Sequence, residues 1–365
     1  MALKCGIIGL PNVGKSTIFN AMTSAHAIIA NYPFTTIEPN IGMVEVPDER
    51  LSKLALIYTH KKVTPAIVEF VDIAGLVKGA SKGEGLGNKF LAHIRNVDSI
   101  LHIVRCFKDP DVAHISGELN PIEDINLIRT ELLLADLEII ERQLIAVQKR
   151  IKRGDKEAAR ETALLEKIKM ALETGSNLDI KDLPEAELEY LRTYNLITVK
   201  PVLYVVNTGE GDIESSNLYI EQIRELVNKE DVQVTQIIGR LEAEIALLPR
   251  EERDSFMKEL GLLESGLSRL IKASYRLLGL ITFFTVVGGE EIRAWTILDG
   301  TKAASAAGKI HTDMEKGFIK AEVIHFQDLV LHGTPEAVRE KGLLRIEGRD
   351  YVVKDGDIIH FRFAL

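Results

Sequence analysis

Lys15 and Ser16 close an eight-residue run, Gly9-Leu10-Pro11-Asn12-Val13-Gly14-Lys15-Ser16, that fits the pattern Gly-x-x-x-x-Gly-Lys-[Ser/Thr]. Such a run grips a polyphosphate. Its glycines let successive backbone N–H groups, from Asn12 through Val13, Gly14 and Lys15 to Ser16 and Thr17, turn inward around phosphate oxygens. Lys15 adds a point charge, and the Ser16 hydroxyl is a ligand for Mg2+. A second run, Val68-Glu69-Phe70-Val71-Asp72-Ile73-Ala74-Gly75, reads as a buried strand ending in Asp-x-x-Gly. There Asp72 can hold the magnesium shell, and the Gly75 N–H can sense the terminal phosphate. Between the two runs, Tyr32-Pro33-Phe34-Thr35-Thr36 supplies hydroxyls on a loop; one of Thr35 and Thr36 is expected to reach the metal, with Thr36 preferred.

Purine recognition belongs at the end of a later apolar run, Pro201 to Val206, which is followed by Asn207-Thr208-Gly209-Glu210. Small GTPases carry Asn-Lys-x-Asp at this place, and its aspartate accepts hydrogen bonds from the guanine N1–H and 2-amino group. Here Thr208 stands for the lysine and Glu210 for the aspartate. Adenine offers an acceptor at N1 and no amino group at C2, so a carboxylate fixed in the guanine-reading position would be left unpaired. The longer Glu210 cannot occupy the same point, which removes the selection for guanine; Asn207 can meet N7 of either purine. ATP is the expected substrate, with GTP as a weaker one. Hydrolysis needs an oriented water, yet the residue after Asp-x-x-Gly is Leu76, whose apolar side chain cannot orient one. The polar group must come from a bound cation, a mobile loop or a partner.

These residues must be positioned by a scaffold, and the first hundred residues supply one: β-rich runs (Leu3–Ile8, Ala66–Asp72, Ser99–Arg105) alternate with helical ones (Ser16–Thr23, Gly87–Asn96), predicting a mostly parallel sheet covered by helices. From Leu133 the apolar positions Leu133, Leu137, Ile140, Leu144, Val147 and Ile151 follow the spacing of a coiled-coil seam. After Gly154-Asp155 a second stretch carries Leu165, Ile168 and Leu172, so an antiparallel helical hairpin is expected as an insert, with Lys149, Arg150, Lys152 and Arg153 near its tip. The β pattern resumes at Pro201–Asn207 and Val232–Ile238 and changes character near Gly279, where short strands (Ile281–Val287, Ile292–Ile297, Tyr351–Lys354, Ile358–Phe363), a small-residue helix at Ala303–Ala307 and a hairpin signal at Asp355-Gly356 suggest an α+β module. The fold class is therefore α/β: a P-loop domain spanning residues 1–278, interrupted by a helical insert over 125–195, and a second domain over 279–365.

With 365 residues and 46% hydrophobic content the chain has material for two or three cores, and no run is long enough to cross a bilayer. A cytoplasmic protein is expected. Cys5 and Cys106 both lie in apolar runs, as small buried hydrophobes do, and two cysteines cannot build a disulfide framework or a zinc site. A net charge of −9 argues against coating of nucleic acid by bulk electrostatics; no DNA is expected, and an RNA partner must be met by a local patch.

Taken together, Gly-Leu-Pro-Asn-Val-Gly-Lys-Ser-Thr, Asn-Tyr-Pro-Phe-Thr-Thr-Ile-Glu-Pro-Asn, Asp-Ile-Ala-Gly-Leu-Val-Lys-Gly-Ala and Asn-x-x-Glu resemble the Obg-like ATPase (YchF) family over essentially the whole chain. The C-terminal module resembles a TGS domain, a ubiquitin-like β-grasp, through Arg293-Ala294-Trp295-Thr296-Ile297, residues 307–322 and Asp355-Gly356-Asp357. The resemblance implies ATP hydrolysis tolerant of GTP, a cytoplasmic location and association with the ribosome or its RNA. It brings His114 forward as a candidate water-positioning residue, beside the plain reading of a surface histidine, and Asn12 as a holder of K+, beside a loop-shaping role. In place of the family's Ser-Ala or Cys-Ala dipeptide at the base stands Ile238-Gly239, so Gly239 is the expected last base contact. A monomer with slow intrinsic turnover, acting as a nucleotide switch, is expected; the competing readings are a GTP-specific switch and an RNA- or protein-binding module with a regulatory nucleotide site.

Overall fold

Alternating strand and helix signals become a layered structure in the computed structural model, which describes residues 3–26, 41–59, 62–73, 86–109, 119–152, 154–155, 157–175, 183–227, 233–287 and 291–364. The first part runs β1 (Lys4–Ile8), α1 (Lys15–His26), β2 (Ile41–Glu45), α2 (Glu49–Tyr58), β3 (Lys62–Thr64), β4 (Ile67–Asp72), α3 (Leu86–Arg95) and β5 (Ser99–Cys106). Next come α4 (Pro121–Ile151), α5 (Glu157–Thr174), α6 (Glu185–Tyr194), β6 (Val202–Thr208), α7 (Ile213–Val227), β7 (Gln233–Ile237), α8 (Gly239–Leu247), α9 (Arg250–Glu259) and α10 (Gly266–Leu277). The last part holds β8 (Leu280–Val287), β9 (Glu291–Leu298), α11 (Ala303–Ile310), α12 (Thr312–Lys316), β10 (Phe318–His325), α13 (Phe326–His332), α14 (Pro335–Glu340), β11 (Arg345–Glu347) and β12 (Asp357–Phe363). Among the described residues no helix is long and apolar enough to cross a membrane.

Two compact units emerge: Met1–Ala25 with Tyr32–Gly42 and Glu69–Leu270, and His26–Asn31 with Met43–Val68 and Ile271–Leu365. In the first, the strand order runs β4-β1-β5-β6-β7, all paired in parallel. All eight residues of β5 are buried, Ser99, His102 and Arg105 among them, as in a central strand covered on both faces. Cys5 and Cys106 lie inside this unit at 0% and 1% exposure, and burial raises both thiols, Cys5 to about 12. Parallel order brings the C-terminal ends of β1, β4, β5 and β6 to one edge, the usual ligand edge of such a sheet.

The insert forms as the seam predicts. Pro121 opens α4 while the Asn120 side chain caps it by accepting from Glu123 N. Ile140, Leu144 and Val147 of α4 are buried with Ala158, Leu165, Ile168 and Leu172 of α5, and Leu133 and Leu137 pack at the margin. Ile151, the last expected seam position, is 40% exposed because the chain turns away there. At the root, the fully buried carboxylate of Asp136 accepts from Arg95 Nη1 (3.0 Å), Thr198 N (2.8 Å) and Thr198 Oγ1 (2.9 Å).

The second unit is built on a sheet ordered β11-β10-β12-β8-β9-β3. Ala303, Ala304, Ala306 and Ala307 let α11 sit close to Phe283, Ile297, Phe318 and Phe361 of that sheet. The strand expected at Tyr351–Lys354, and with it the hairpin at Asp355-Gly356, does not form: only Val352 makes a bridge, to Lys302. The buried Asp357 carboxylate accepts instead from Tyr351 Oη (2.7 Å) and Lys354 N (2.9 Å), which folds the segment into a turn. Residues 43–68 contribute to this unit: β3 pairs with β9 in parallel, and Arg50 binds both Asp48 and Asp355 while lying over the Phe284 ring at 5.1 Å.

Candidate nucleotide site

At the end of β1 the chain passes so close to β5 that a Cβ on Gly9 would stand 2.7 Å from Ile103 O, so this position requires glycine. The loop then takes left-handed backbone at Asn12 (φ 65°) and Gly14 (φ 90°) before α1 begins at Lys15, with Ile18 N donating to Gly14 O at 3.0 Å. Asparagine tolerates this conformation better than most residues, and the early N–H groups of α1 have no partner within the helix. Ser16 and Thr17 follow in the first turn. The turned loop thus leads directly into the α1 N-terminus, where Ser16 and Thr17 are exposed.

Asp72 ends β4 opposite Ile7, one residue short of the end of β1. From there its Oδ1 meets Lys15 Nζ at 2.5 Å, with only 11% of the lysine and 16% of the aspartate side chain exposed. The structure thus brings together Lys15 and Asp72, the expected phosphate-gripping cation and metal-binding carboxylate, which the sequence places 57 positions apart.

On the base side, Asn207 and Thr208 end β6 in register with Arg105 and Cys106 of β5. Asn207 is 5% exposed, and both ends of its carboxamide are engaged: Nδ2 donates to Val13 O and Oδ1 accepts from Gly239 N, each at 2.9 Å. A Cβ on Gly14 would run into Nδ2, and one on Gly239 would stand 3.0 Å from Oδ1 and 3.2 Å from Ile18 Cγ1. One side chain therefore locks the phosphate loop to the start of α8. The Thr208 hydroxyl turns inward to Ile237 O (3.4 Å) and receives Gln236 Nε2 (3.1 Å), leaving 3% of the residue exposed, whereas Glu210 is exposed in a short 3-10 turn.

Val13, Gly14, Lys15, Asp72, Asn207 and Gly239 are thus joined by contacts, while Thr208 faces β7. Thr36, Gly75, Leu76 and His114 lie outside the described residues. Sequence reasoning missed the bracing work of Asn207 and the support of Thr208 by Gln236. Neither has a local signal, because each depends on a partner tens to hundreds of positions away.

A family model described as 50S ribosome-binding GTPase matches residues 4–150, and one described as YchF-GTPase_C, a protein of unknown function, matches 280–364. The chain is 51% identical over 365 residues to the ribosome-binding ATPase YchF of Bacillus subtilis (strain 168), covering 100% of both chains. It is 52% identical over 363 residues to that of Escherichia coli O157:H7 and 51% identical over 363 residues to that of Pasteurella multocida (strain Pm70), covering 100% of this chain and 99% of each relative. The structure of the Schizosaccharomyces pombe YchF GTPase superposes with a TM-score of 0.88 at 39% identity, covering 99% of this chain and 97% of that one.

Proposed function

Since the chain belongs to the YchF family of ribosome-binding ATPases, we propose that it binds Mg-ATP in the loop between β1 and α1, hydrolyses the terminal phosphate, and uses the cycle to control its association with the ribosome. The observation that carries the reading is the Lys15–Asp72 contact at the lip of that loop. A lysine and a carboxylate held this close, with their charges opposed, are poised to be parted by a ligand carrying both an anion and a cation. A magnesium triphosphate is such a ligand.

The donor set fits the metal: Asp72 supplies a carboxylate oxygen and Ser16 a hydroxyl, the hard ligands magnesium prefers, with Thr36 as a third. Bound Mg2+ supplies neutralisation of the triphosphate charge and a fixed orientation for the β- and γ-phosphates. Lys15 releases Asp72 and moves its charge onto the phosphate oxygens, while the N–H groups of residues 12–17 bind the oxygens that gain charge as the terminal phosphate leaves. The Gly75 N–H senses the terminal phosphate, and His114 is the candidate for orienting the attacking water. Asn12, on the same loop, is the candidate for holding a K+ ion beside the phosphates. Asn207 keeps the loop and α8 at a fixed spacing for the purine, with Glu210 and Gly239 at its rim.

Replacement of the guanine-reading aspartate by Glu210 supports ATP over GTP. The protein works in the cytoplasm, as its ribosomal partner requires, and turns over slowly until that partner or K+ completes the site. Competition of ATP and GTP for the purified protein with Mg2+ tests the reading: ATP is expected to bind more tightly, and uptake of neither would overturn it. A fast basal rate indifferent to ribosomes and K+ would remove the switch.

A further inference from the structure

We propose that the bend of the α4–α5 hairpin is a contact for the phosphate backbone of structured ribosomal RNA, made by Lys149, Lys152 and Arg160; the identity of that RNA rests on the ribosome association proposed above. On a chain of net charge −9, residues 149–160 carry six Lys or Arg against two Asp or Glu. Cations in the last turn of a helix are commonly there to complement its dipole, and one of these does structural work. Arg150 donates to Asp155 Oδ2 at 2.8 Å and to Glu161 Oε2 at 2.6 Å. Asp155 in turn accepts from Glu157 N (3.0 Å) and Ala158 N (3.4 Å), capping α5, while Tyr194 Oη donates to Glu161 Oε1 (2.7 Å). Asp155 and Glu161 are thereby spent on Arg150, the cap and Tyr194, which leaves Glu157 as the one exposed acid among residues 149–160.

What is left over is cationic. Lys149, Lys152 and Arg160 are exposed, and among the described residues none has an ion-pair or hydrogen-bond partner for its charged group. Distance separates this charge from the root of the hairpin: Lys152 lies sixteen positions beyond the root carboxylate Asp136, about 24 Å along a helix rising 1.5 Å per residue. That is two to three screening lengths at physiological salt, so the tip carries a positive potential of its own. The arm is held firm, with the apolar seam along its length and the Arg150–Asp155–Glu161 network fixing the bend. A rigid rod tipped with unpaired point charges suits a polyanion met at one place rather than wrapped; lysines and a single arginine without interleaved aromatics suit backbone phosphate rather than bases.

The test is the triple variant Lys149→Gln/Lys152→Gln/Arg160→Gln of the full chain, with Lys167→Gln, an exposed lysine further along α5, as control. Binding is measured on ribosomes and on protein-free ribosomal RNA between about 50 and 200 mM salt. ATPase rate and thermal melting check that the variant remains folded, and both are expected to match wild type. The triple variant is expected to lose roughly tenfold in affinity for both probes, and the slope of log affinity against log salt to flatten by about two, with the control unchanged. Unaltered affinity and slope on ribosomes would overturn the proposal. A loss on ribosomes without a loss on protein-free RNA would overturn it too, assigning the tip to a ribosomal protein. Wild type that binds RNA through the tip but does not associate with ribosomes would uphold this contact while sinking the ribosome reading, and wild type binding neither would sink both.

Discussion

Lys15 Nζ and Asp72 Oδ1 stand 2.5 Å apart, so the cation proposed to bind phosphate is held by the carboxylate proposed to hold magnesium. Each group therefore competes with the ligand of the other. Asp72→Asn removes that competition, and it also removes a negative charge facing the triphosphate. We expect this variant to bind metal-free ATP about fivefold more tightly than wild type, while its turnover with Mg2+ falls about a hundredfold. Fluorescence titration with and without a chelator reads the first effect and phosphate release the second; weaker metal-free binding would show that the ion pair does not oppose the nucleotide.

Asn207 is the corresponding joint on the base side. Its amide N–H holds Val13 O and its carbonyl holds Gly239 N, both in a buried setting. Asn207→Asp keeps the acceptor but sets a carboxylate oxygen against the Val13 carbonyl, a repulsion with no water to relieve it. A loss of about 1–3 kcal/mol in nucleotide affinity follows, or about five- to 150-fold in Kd, measured by calorimetry. Asn207→Ala is expected to lose a similar amount by unpinning the loop. Gly239→Ala acts through the same contact, since its new methyl group would crowd Oδ1.

The contrast between these two joints explains what could be read from sequence. The P-loop is legible because its geometry is local: contiguous residues with glycines where the backbone must turn, between an apolar run and a helix. The α4–α5 seam is legible because its period is. Arg50 shows the opposite case, since its partner Asp355 lies 305 positions away and no spacing announces the pair. β3 is three residues long, with Lys62 and Val63 exposed, and it becomes a strand only because β9 offers it an edge. At Tyr351–Lys354 the β-branched pattern was a sound local signal, but the buried Asp357 carboxylate outweighed it. A buried charge demands partners more strongly than two valines demand a sheet.

Arg50 also ties the 43–68 segment into the second unit, and its loss has a definite cost. The guanidinium is shared between Asp48 and Asp355 and packs on Phe284, while Asp355 Oδ1 also accepts from Thr282 N at 2.8 Å. Arg50→Ala leaves two carboxylates without their cation; Arg50→Lys keeps the charge but cannot fork to both. We expect about 2–3 kcal/mol of destabilisation for alanine and about half that for lysine, read by chemical denaturation. Equal stability of all three proteins would mean that the pairs merely replace water.

His102 sets an acid limit on stability. It lies in the middle of β5 at 3% exposure against the Tyr204 ring (5.2 Å between centroids), and burial, with Arg129 adding repulsion, lowers its pKa to about 3 from an ordinary 6.5. The unfolded chain binds a proton at this residue once pH drops below 6.5, whereas the folded chain does not until about 3. The neutral ring's contribution is thus fully present above pH 6.5 and is lost progressively as pH falls towards 3, by up to about 1.4 kcal/mol per pH unit. His102→Gln removes the titration and is expected to cost stability at pH 7.5 through imperfect packing, yet to lose less than wild type on going to pH 5. The gap between their melting temperatures should therefore narrow as the solution is acidified. If it stays constant between pH 7.5 and 5, His102 takes up its proton in the folded sheet as readily as in the unfolded chain, and burial in β5 does not hold it neutral.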